Sequence, residues 1–136
     1  METIKGVMEN KITLVTPPDD VIYDGIRILA YDLMPDQSQM ISDCLSQLKD
    51  IPQIIVYIAN GHDDPKWIID KKQKCSIIVI NAESQDQTMV GYLAAQRNSY
   101  YFGNLRSVSE ANGSMIQETK QLTMIMEDQI IKHEKL

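Results

Sequence analysis

The chain has 136 residues, of which 43% are apolar and 24% are charged, a composition typical of one folded globular domain and not of a disordered chain. Its formal net charge of −6 disfavours general binding to nucleic acid and to anionic membrane surfaces, because both repel an acidic protein. Two cysteines cannot form a disulfide framework, and residues 1–10, which we expect to be flexible, lack the apolar core of a secretion signal. We therefore expect a single cytoplasmic α/β domain over residues 1–136 that does not associate with membranes.

The first two predicted elements are strands. KITLVT (11–16) alternates apolar with polar residues and stops at a Pro-Pro pair that cannot continue a sheet ladder. An Asp-Gly turn then leads into the apolar run IRILAYDL (26–33). Because such a turn is typical of hairpins, we predict that these two strands pair antiparallel at the edge of the sheet.

Helices and buried strands alternate through the middle of the chain. MPDQSQMISDCLSQLKD (34–50) repeats apolar residues at helical spacing behind an early proline. QIIVYIA (53–59) and CSIIVINA (75–82) are nearly continuous apolar runs, typical of strands covered on both faces, and we expect them to lie side by side. Between them, residues 64–74 are predicted as a short helix with Asp64 as its N-cap.

The last third of the chain continues the alternation. A helix over 84–98 begins at Ser84 or Asp86, a short strand SYYFG (99–103) follows, and a long C-terminal helix is predicted within 113–136. Strands separated by helical segments imply parallel pairing through right-handed crossovers. We therefore predict a three-layer α/β sandwich, flavodoxin- or Rossmann-like, with a mainly parallel sheet of about five strands.

Polar residues follow the predicted strands at the edge where open parallel sheets bind ligands. If the protein is an enzyme, the catalytic candidates are the acids at these strand ends: Asp32, Asp63 and Glu83. The candidates for ligand binding are other polar residues and one glycine of the same turns: Asn60, Gly61, His62, Asn81, Asn104 and Arg106. Ser84 also lies at this edge, and we give it no role beyond a possible helix start.

His62, Asp63 and Asp64 form the densest cluster of titratable side chains. They could act as a general base or as metal ligands. Alternatively, they are turn residues, with Asp64 as the helix cap and His62 in solvent. We favour the turn, because a metal site needs three or four ligands and the only other histidine, His133, lies far along the chain. We accordingly predict no metal and no cofactor.

Several reaction classes lack their sequence signatures. Neither GxxxxGK[ST] nor GxGxxG follows a strand, and acidic turns would repel a phosphate, so binding of a nucleotide through its triphosphate is disfavoured. The Gly-x-Ser-x-Gly elbow of many hydrolases is also absent. Cys44 and Cys75 fall within predicted regular structure, and we interpret both as packing residues.

Two segments carry side chains typical of protein interfaces. NSYYFGNLR (98–106) combines aromatic residues with an arginine, although alternate strand residues would also point to opposite faces of the sheet. The C-terminal helix is apolar over more than a narrow stripe, so we expect one face to cover the sheet and the remainder to contact a protein partner or a second copy. The interface candidates are Tyr100, Tyr101, Met115, Leu122, Met126 and Ile130.

A strand that ends in a polar turn, the stretch WIIDKKQKCSIIVIN (67–81) and a helix containing GYLAA (91–95) follow one another. This pattern resembles the nucleoside 2-deoxyribosyltransferase and TIR group of Rossmann-like domains. The resemblance implies the fold of that group and chemistry at a glycosidic bond, in which a glutamate on the small-residue helix acts at the anomeric carbon of the sugar. In this chain that helix has no acid after Asp86, so Glu83, just before it, would have to act with a different geometry.

Two functions of different classes are compatible with these patterns. The first is a non-catalytic protein-binding or assembly protein; the isoleucine-rich composition, 19 Ile against 6 Ala, resembles that of small accessory proteins of large tailed phages. The alternative is a small enzyme that processes a nucleoside or a sugar, which requires at least two of the three candidate acids to converge on one pocket, with the pKa of one of them raised by burial. Because catalytic signatures are missing, the sequence favours the first function.

Overall fold

The computed structural model describes residues 11–48, 51–105 and 112–134 of the chain. The segment 1–10, predicted to be flexible, and the candidate Arg106 lie outside these residues. In chain order the elements are β1 (Ile12–Val15), β2 (Ile26–Tyr31), α1 (Pro35–Gln47), β3 (Ile54–Ala59), α2 (Pro65–Lys72), β4 (Ile77–Asn81), α3 (Gln87–Ala94), β5 (Ser99–Phe102), β6 (Ser114–Met115) and α4 (Thr119–Glu134). The α/β class and the long C-terminal helix are confirmed.

The six strands of the described residues form one parallel sheet in the order β1-β3-β2-β4-β5-β6. Without β1, this order is the 2-1-3-4-5 arrangement of flavodoxin-like folds. β1 is added at the edge beside β3, and the sheet has one strand more than the predicted five. The chain runs from β2 outward to β3 and then returns across β2 to β4, so the topological switch point lies between β2 and β4.

The predicted antiparallel pairing of the first two strands is wrong. β1 lies parallel to β3, with Ile12 opposite Ile54, while β2 lies between β3 and β4. The segment 16–25 makes this parallel arrangement possible. A fully extended chain of that length reaches about 33 Å. It can therefore pass β3 and return to the amino end of a strand of about 20 Å. β3 and β4 share the sheet but do not lie side by side as predicted, since β2 separates them.

Helices cover both faces of the sheet and give the fold its three layers. α1 and α4 pack on one face, and α2 and α3 pack on the other. Alternate residues of β2 serve the two layers: Ile28 and Ala30 lie in the first core, whereas Leu29 and Tyr31 lie in the second. Burial on both faces explains why the central strands are continuous apolar runs.

Helix α4 covers the sheet with one face and exposes the other. Leu122, Met126 and Ile130 are buried in the core that α4 shares with α1 and the sheet, so an interface role for these three would require the helix to leave the domain. The exposed large apolar residues of α4 are instead Met124 and Ile131, at 60% and 51% exposure. No helix in the described ranges, α4 included, is long and apolar enough to cross a membrane.

α4 begins at Thr119, later in the chain than the predicted start near 113. The side-chain oxygen of Gln121 accepts hydrogen bonds from the backbone N–H groups of Gln117 at 2.6 Å and Glu118 at 2.8 Å. These two donors precede the helix and are satisfied by a side chain of its first turn, so Gln121 fixes the position at which the helix starts. Ser114 and Met115, which precede this helix start, pair with β5 as the short strand β6.

The remaining interface candidates lie at the β5–β6 edge of the sheet. Tyr100 and Tyr101 are half-buried and pack on opposite faces, Tyr100 against the core under α1 and α4, and Tyr101 against the core under α2 and α3. Met115, in β6, is 37% exposed. The two tyrosines therefore do not form one continuous patch.

Trp67, which packs beside a buried lysine, fixes the segment 16–25 to helix α2. Lys71 is completely buried, and its Nζ lies 5.5 Å from the ring centroid of Trp67 and 5.7 Å from that of Tyr57. The indole N–H of Trp67 donates a hydrogen bond to the backbone oxygen of Asp19 at 2.7 Å. These contacts hold the segment 16–25, a connection that contains no helix, against the face of the sheet.

Candidate functional site

A polar crevice opens at the carboxyl ends of β2 and β4, at the topological switch point. Its volume of about 510 Å³ is within the range of small-molecule sites. The lining comes from the turns after β2, β3 and β4: Asp32, Gly61, His62, Asn81, Glu83, Ser84, Gln85 and Asp86. Doubly wound sheets bind their ligands at this location.

Asp32 is the first residue after β2 and has an unusual backbone conformation. Its φ of +50° lies in the left-handed region, which costs most residues energy but which aspartate tolerates better than most. The Asp32 N–H donates to the backbone oxygen of Ala59 at 2.7 Å, so the backbone stays attached to β3. Ser84 Oγ donates a hydrogen bond of 2.6 Å to Asp32 Oδ2. Backbone and side chain together fix the direction of this carboxylate.

The phenol of Tyr31 is hydrogen-bonded to Ser84, a residue of the crevice lining. Burial raises the pKa of Tyr31 above its ordinary value, and the nearby carboxylates of Asp86, Asp32 and Asp63 raise it further. The hydrogen bond between Tyr31 and Ser84 acts in the opposite direction. Tyr31 is therefore a neutral hydroxyl group at physiological pH, and it adds no charge beside the crevice.

Glu83 lies between the ends of β4 and β5. The Glu83 N–H donates to the side-chain oxygen of Asn81 at 3.1 Å, which forms a local turn at the end of β4. The backbone N–H of Asn104 lies 3.4 Å from Glu83 Oε2. Glu83 is thus attached through its backbone to one strand end and through its carboxylate to the next.

The His62-Asp63-Asp64 cluster divides between the crevice and the helix start. His62 is exposed and lines the crevice. Asp63 Oδ2 accepts a hydrogen bond of 2.8 Å from the backbone N–H of Asn60, and Asp64 caps α2 through the N–H of Lys66 at 2.9 Å. The predicted N-cap is confirmed, and the two aspartates serve the turn.

The crevice is acidic. Asp32, Glu83 and Asp86 contribute carboxylates, and none of the described Lys or Arg residues lines it. No group of three or more side chains in the described ranges is arranged to hold a metal ion. The lining therefore offers mainly acceptors for hydroxyl and amino groups, and it repels phosphate.

The crevice collects some of the predicted site residues and not others. Two catalytic candidates, Asp32 and Glu83, converge on it, and so do three ligand-binding candidates: Gly61, His62 and Asn81. Asp63, Asn60 and Asn104 are not part of its lining. Arg106 lies outside the described residues.

Three lining residues have no ligand-binding role in the sequence analysis: Ser84, Gln85 and Asp86. The sequence feature that could have identified these three residues is their position directly after Glu83, between β4 and α3. That signal becomes specific only once the strand order is known, because the partner of Ser84 is Asp32, at the end of a strand far away in the chain.

Comparison with models of known protein families, with curated proteins and with solved structures gives no match for this chain.

Proposed function

We propose that the protein is a small enzyme that binds a nucleoside or a related sugar in the crevice and acts on its glycosidic bond. The observation that carries this proposal is the 2.6 Å hydrogen bond from Ser84 to Asp32, which orients one carboxylate at the switch point beside a second, that of Glu83. Two of the predicted acids therefore line one pocket, which supports the positional part of what the enzymatic alternative requires.

The proposed ligand class follows from the size and charge of the lining. A crevice of about 510 Å³ has room for a ligand of nucleoside size. Carboxylates accept hydrogen bonds from sugar hydroxyls, and the amides of Asn81 and Gln85 offer both donors and acceptors to a base or a sugar. Because the described lining has three carboxylates and no Lys or Arg, a neutral or cationic ligand is favoured over a phosphorylated one.

Glu83 provides the carboxylate that glycosidic-bond chemistry commonly uses at the anomeric carbon, and Asp32 provides a second carboxylate for binding. We assign to Asp32 the binding of sugar hydroxyls, since Ser84 holds one of its oxygens in place. Glu83 then faces the anomeric carbon, where a carboxylate stabilises the oxocarbenium-like transition state or forms a covalent glycosyl intermediate. The bond from the anomeric carbon to the base breaks and the departing base takes up a proton; water or a second base then accepts the glycosyl group and returns one proton to the site. His62, exposed in the lining, is the proton donor in this assignment.

The test is the release of free base from a panel of ribonucleosides and deoxyribonucleosides, measured by chromatography with and without an acceptor base. E83Q should lower the rate by about 10²–10³-fold, because the charge that stabilises the transition state is lost, and D32N should lower it through weaker binding of the sugar hydroxyls. The matched changes E127Q and D43N, at exposed acids on α4 and α1, should leave the rate unchanged. Absence of base release from every nucleoside by the wild-type protein, or equal rates for wild type and E83Q, would contradict the proposal.

One observation favours a second candidate function, binding to a protein partner or to a second copy through α4. Met124 and Ile131 lie seven residues apart on the helix and are 60% and 51% exposed. If this surface mediates a homodimer, the wild-type protein sediments as a dimer and M124S/I131S as a monomer. A monomeric wild-type protein at micromolar concentration would remove the homo-oligomer from consideration.

A further inference from the structure

We infer that Gly103 and the backbone N–H of Asn104 form a seat that positions the Glu83 carboxylate at the wall of the crevice. We call these two residues the Glu83 seat. The role of the seat in a reaction rests on the proposed function, whereas the position of the carboxylate does not. Gly103 is a positioning residue in this inference, since it acts through Glu83 and is not part of the crevice lining.

The geometry of the seat requires a residue without a side chain. Gly103 has a φ of +87°, in the left-handed region that favours glycine. A Cβ atom at position 103 would lie 2.7 Å from Glu83 Oε2, 3.0 Å from its Cγ and 3.1 Å from its Cδ. The Glu83 side chain therefore occupies the space that any other residue at 103 would fill. Replacement of Gly103 must move the carboxylate, because the far end of a glutamate yields more easily than the backbone.

The seat joins two neighbouring parallel strands at the active edge of the sheet. β4 and β5 pair with Asn81 opposite Phe102, so the turns that follow them lie next to each other. The Asn81 side chain fixes the Glu83 backbone at 3.1 Å, and the Asn104 N–H, 3.4 Å from Oε2, gives the carboxylate a donor on the neighbouring turn. Because both the backbone and the carboxylate of Glu83 are held, its side chain lies along the crevice wall and loses fewer conformations when a ligand binds.

The seat also explains why Asn104 is not part of the crevice lining although it lies at a strand end. Its backbone N–H lies 3.4 Å from Glu83 Oε2. A change of the Asn104 side chain should therefore matter less than a change at Gly103.

The decisive experiment compares G103N and G103A with the wild-type protein. Asparagine tolerates a positive φ better than alanine, so G103N displaces Glu83 with less backbone strain than G103A. In the wild-type protein, the backbone amide resonance of Asn104 should shift on acidification as Glu83 is protonated. We expect E83Q and G103N to lose that pH-dependent shift and E127Q to keep it. An unchanged shift in a folded G103N would overturn the inference, whether or not a ligand has been found.

The activity measurement separates the seat from the proposed function. With a nucleoside that the wild-type protein cleaves, kcat should fall at least tenfold in both G103N and G103A, while KM changes less than twofold. Equal kcat values for G103N and the wild type would overturn the inference. If the wild-type protein cleaves no nucleoside, the proposed function fails, and the Asn104 amide resonance alone decides whether the seat exists.

Discussion

Ser84 Oγ lies 2.6 Å from Asp32 Oδ2, and this hydrogen bond joins the end of β4 to the end of β2 across the topological switch point. Ser84 is only 4% exposed, and Asp32 has a left-handed backbone. A nearly buried hydroxyl donor thus orients a carboxylate whose backbone conformation is itself restricted. A site that must present a carboxylate in one direction is built in this way.

The Ser84–Asp32 pair should be energetically coupled. We expect S84A to lower the free energy of unfolding by about 1–2 kcal/mol, because a hydrogen bond to a carboxylate is lost. D32N should cost less, since asparagine also tolerates a positive φ and can accept from Ser84. Urea denaturation of wild type, S84A, D32A and S84A/D32A gives the coupling, expected at about 0.5–2 kcal/mol. Strict additivity of the two alanine variants would show that the bond contributes nothing to stability.

Lys71 should stabilise the fold through its charge as well as its packing. Its Nζ lies near two aromatic rings and 3.2 Å from Asp70 Oδ2. We expect K71A to cost about 2–4 kcal/mol, and K71M, which keeps the apolar length, to cost about 1 kcal/mol. Denaturation followed by circular dichroism measures both, with K132M at an exposed ion pair as the control. If K71M is more stable than the wild type, desolvation of the ammonium group outweighs its attraction to the rings.

The two faces of α4 should respond differently to substitution. Leu122 is 3% exposed and Met124 is 60% exposed. We expect L122A to lower the free energy of unfolding by about 2–4 kcal/mol, because it leaves a cavity against the sheet. M124A should change it by less than about 0.5 kcal/mol. Comparable losses in the two variants would mean that the helix does not pack as described.

The buried thiols should make stability fall in alkaline solution. Burial raises the pKa of Cys75 to about 12 and that of Cys44 to about 11, from an ordinary value of 9.0. The folded state therefore holds these protons more tightly than the unfolded state. Their contribution is complete below pH 9.0 and is lost as the pH rises from 9.0 toward about 11 and about 12.

The measurement is the unfolding free energy between neutral pH and about pH 10 for the wild-type protein and for C44A/C75A. The wild type should lose roughly 1 kcal/mol more than the variant for each thiol at about pH 10. The comparison cancels the tyrosines and lysines that titrate in the same range. Parallel curves for the two proteins would contradict the burial of the thiols.

The architecture could be predicted from the sequence because its signals are local. Continuous apolar runs identified β3 and β4, and Asp64 marked the start of α2, since strand burial and helix caps depend on neighbouring residues. The pairing of β1 was wrong because the Asp-Gly turn before β2 is a local signal, whereas the strand order depends on contacts between distant segments. β6 escaped prediction for the same reason: its two residues form a strand only beside β5.

Some of the residues that line the crevice could be predicted from the sequence, and others could not. Asp32 and Glu83 could be found because each directly follows an apolar run. Ser84 could not be assigned a role, because its partner ends a different strand. Asp63 was a catalytic candidate by its type, and only the structure places its carboxylate on the backbone N–H of Asn60.

The central claim is that the crevice at the switch point binds a nucleoside or a related sugar. Its most direct test is a titration of the isotope-labelled protein with a nucleoside panel, followed through backbone amide resonances. The account predicts saturable shifts at millimolar ligand for Asp32, Gly61, Ser84 and their neighbours, strongly weakened in D32N and unchanged in D43N. Absence of shifts for every nucleoside and sugar tested, or shifts clustered on α4 with none at the ends of β2 and β4, would contradict it.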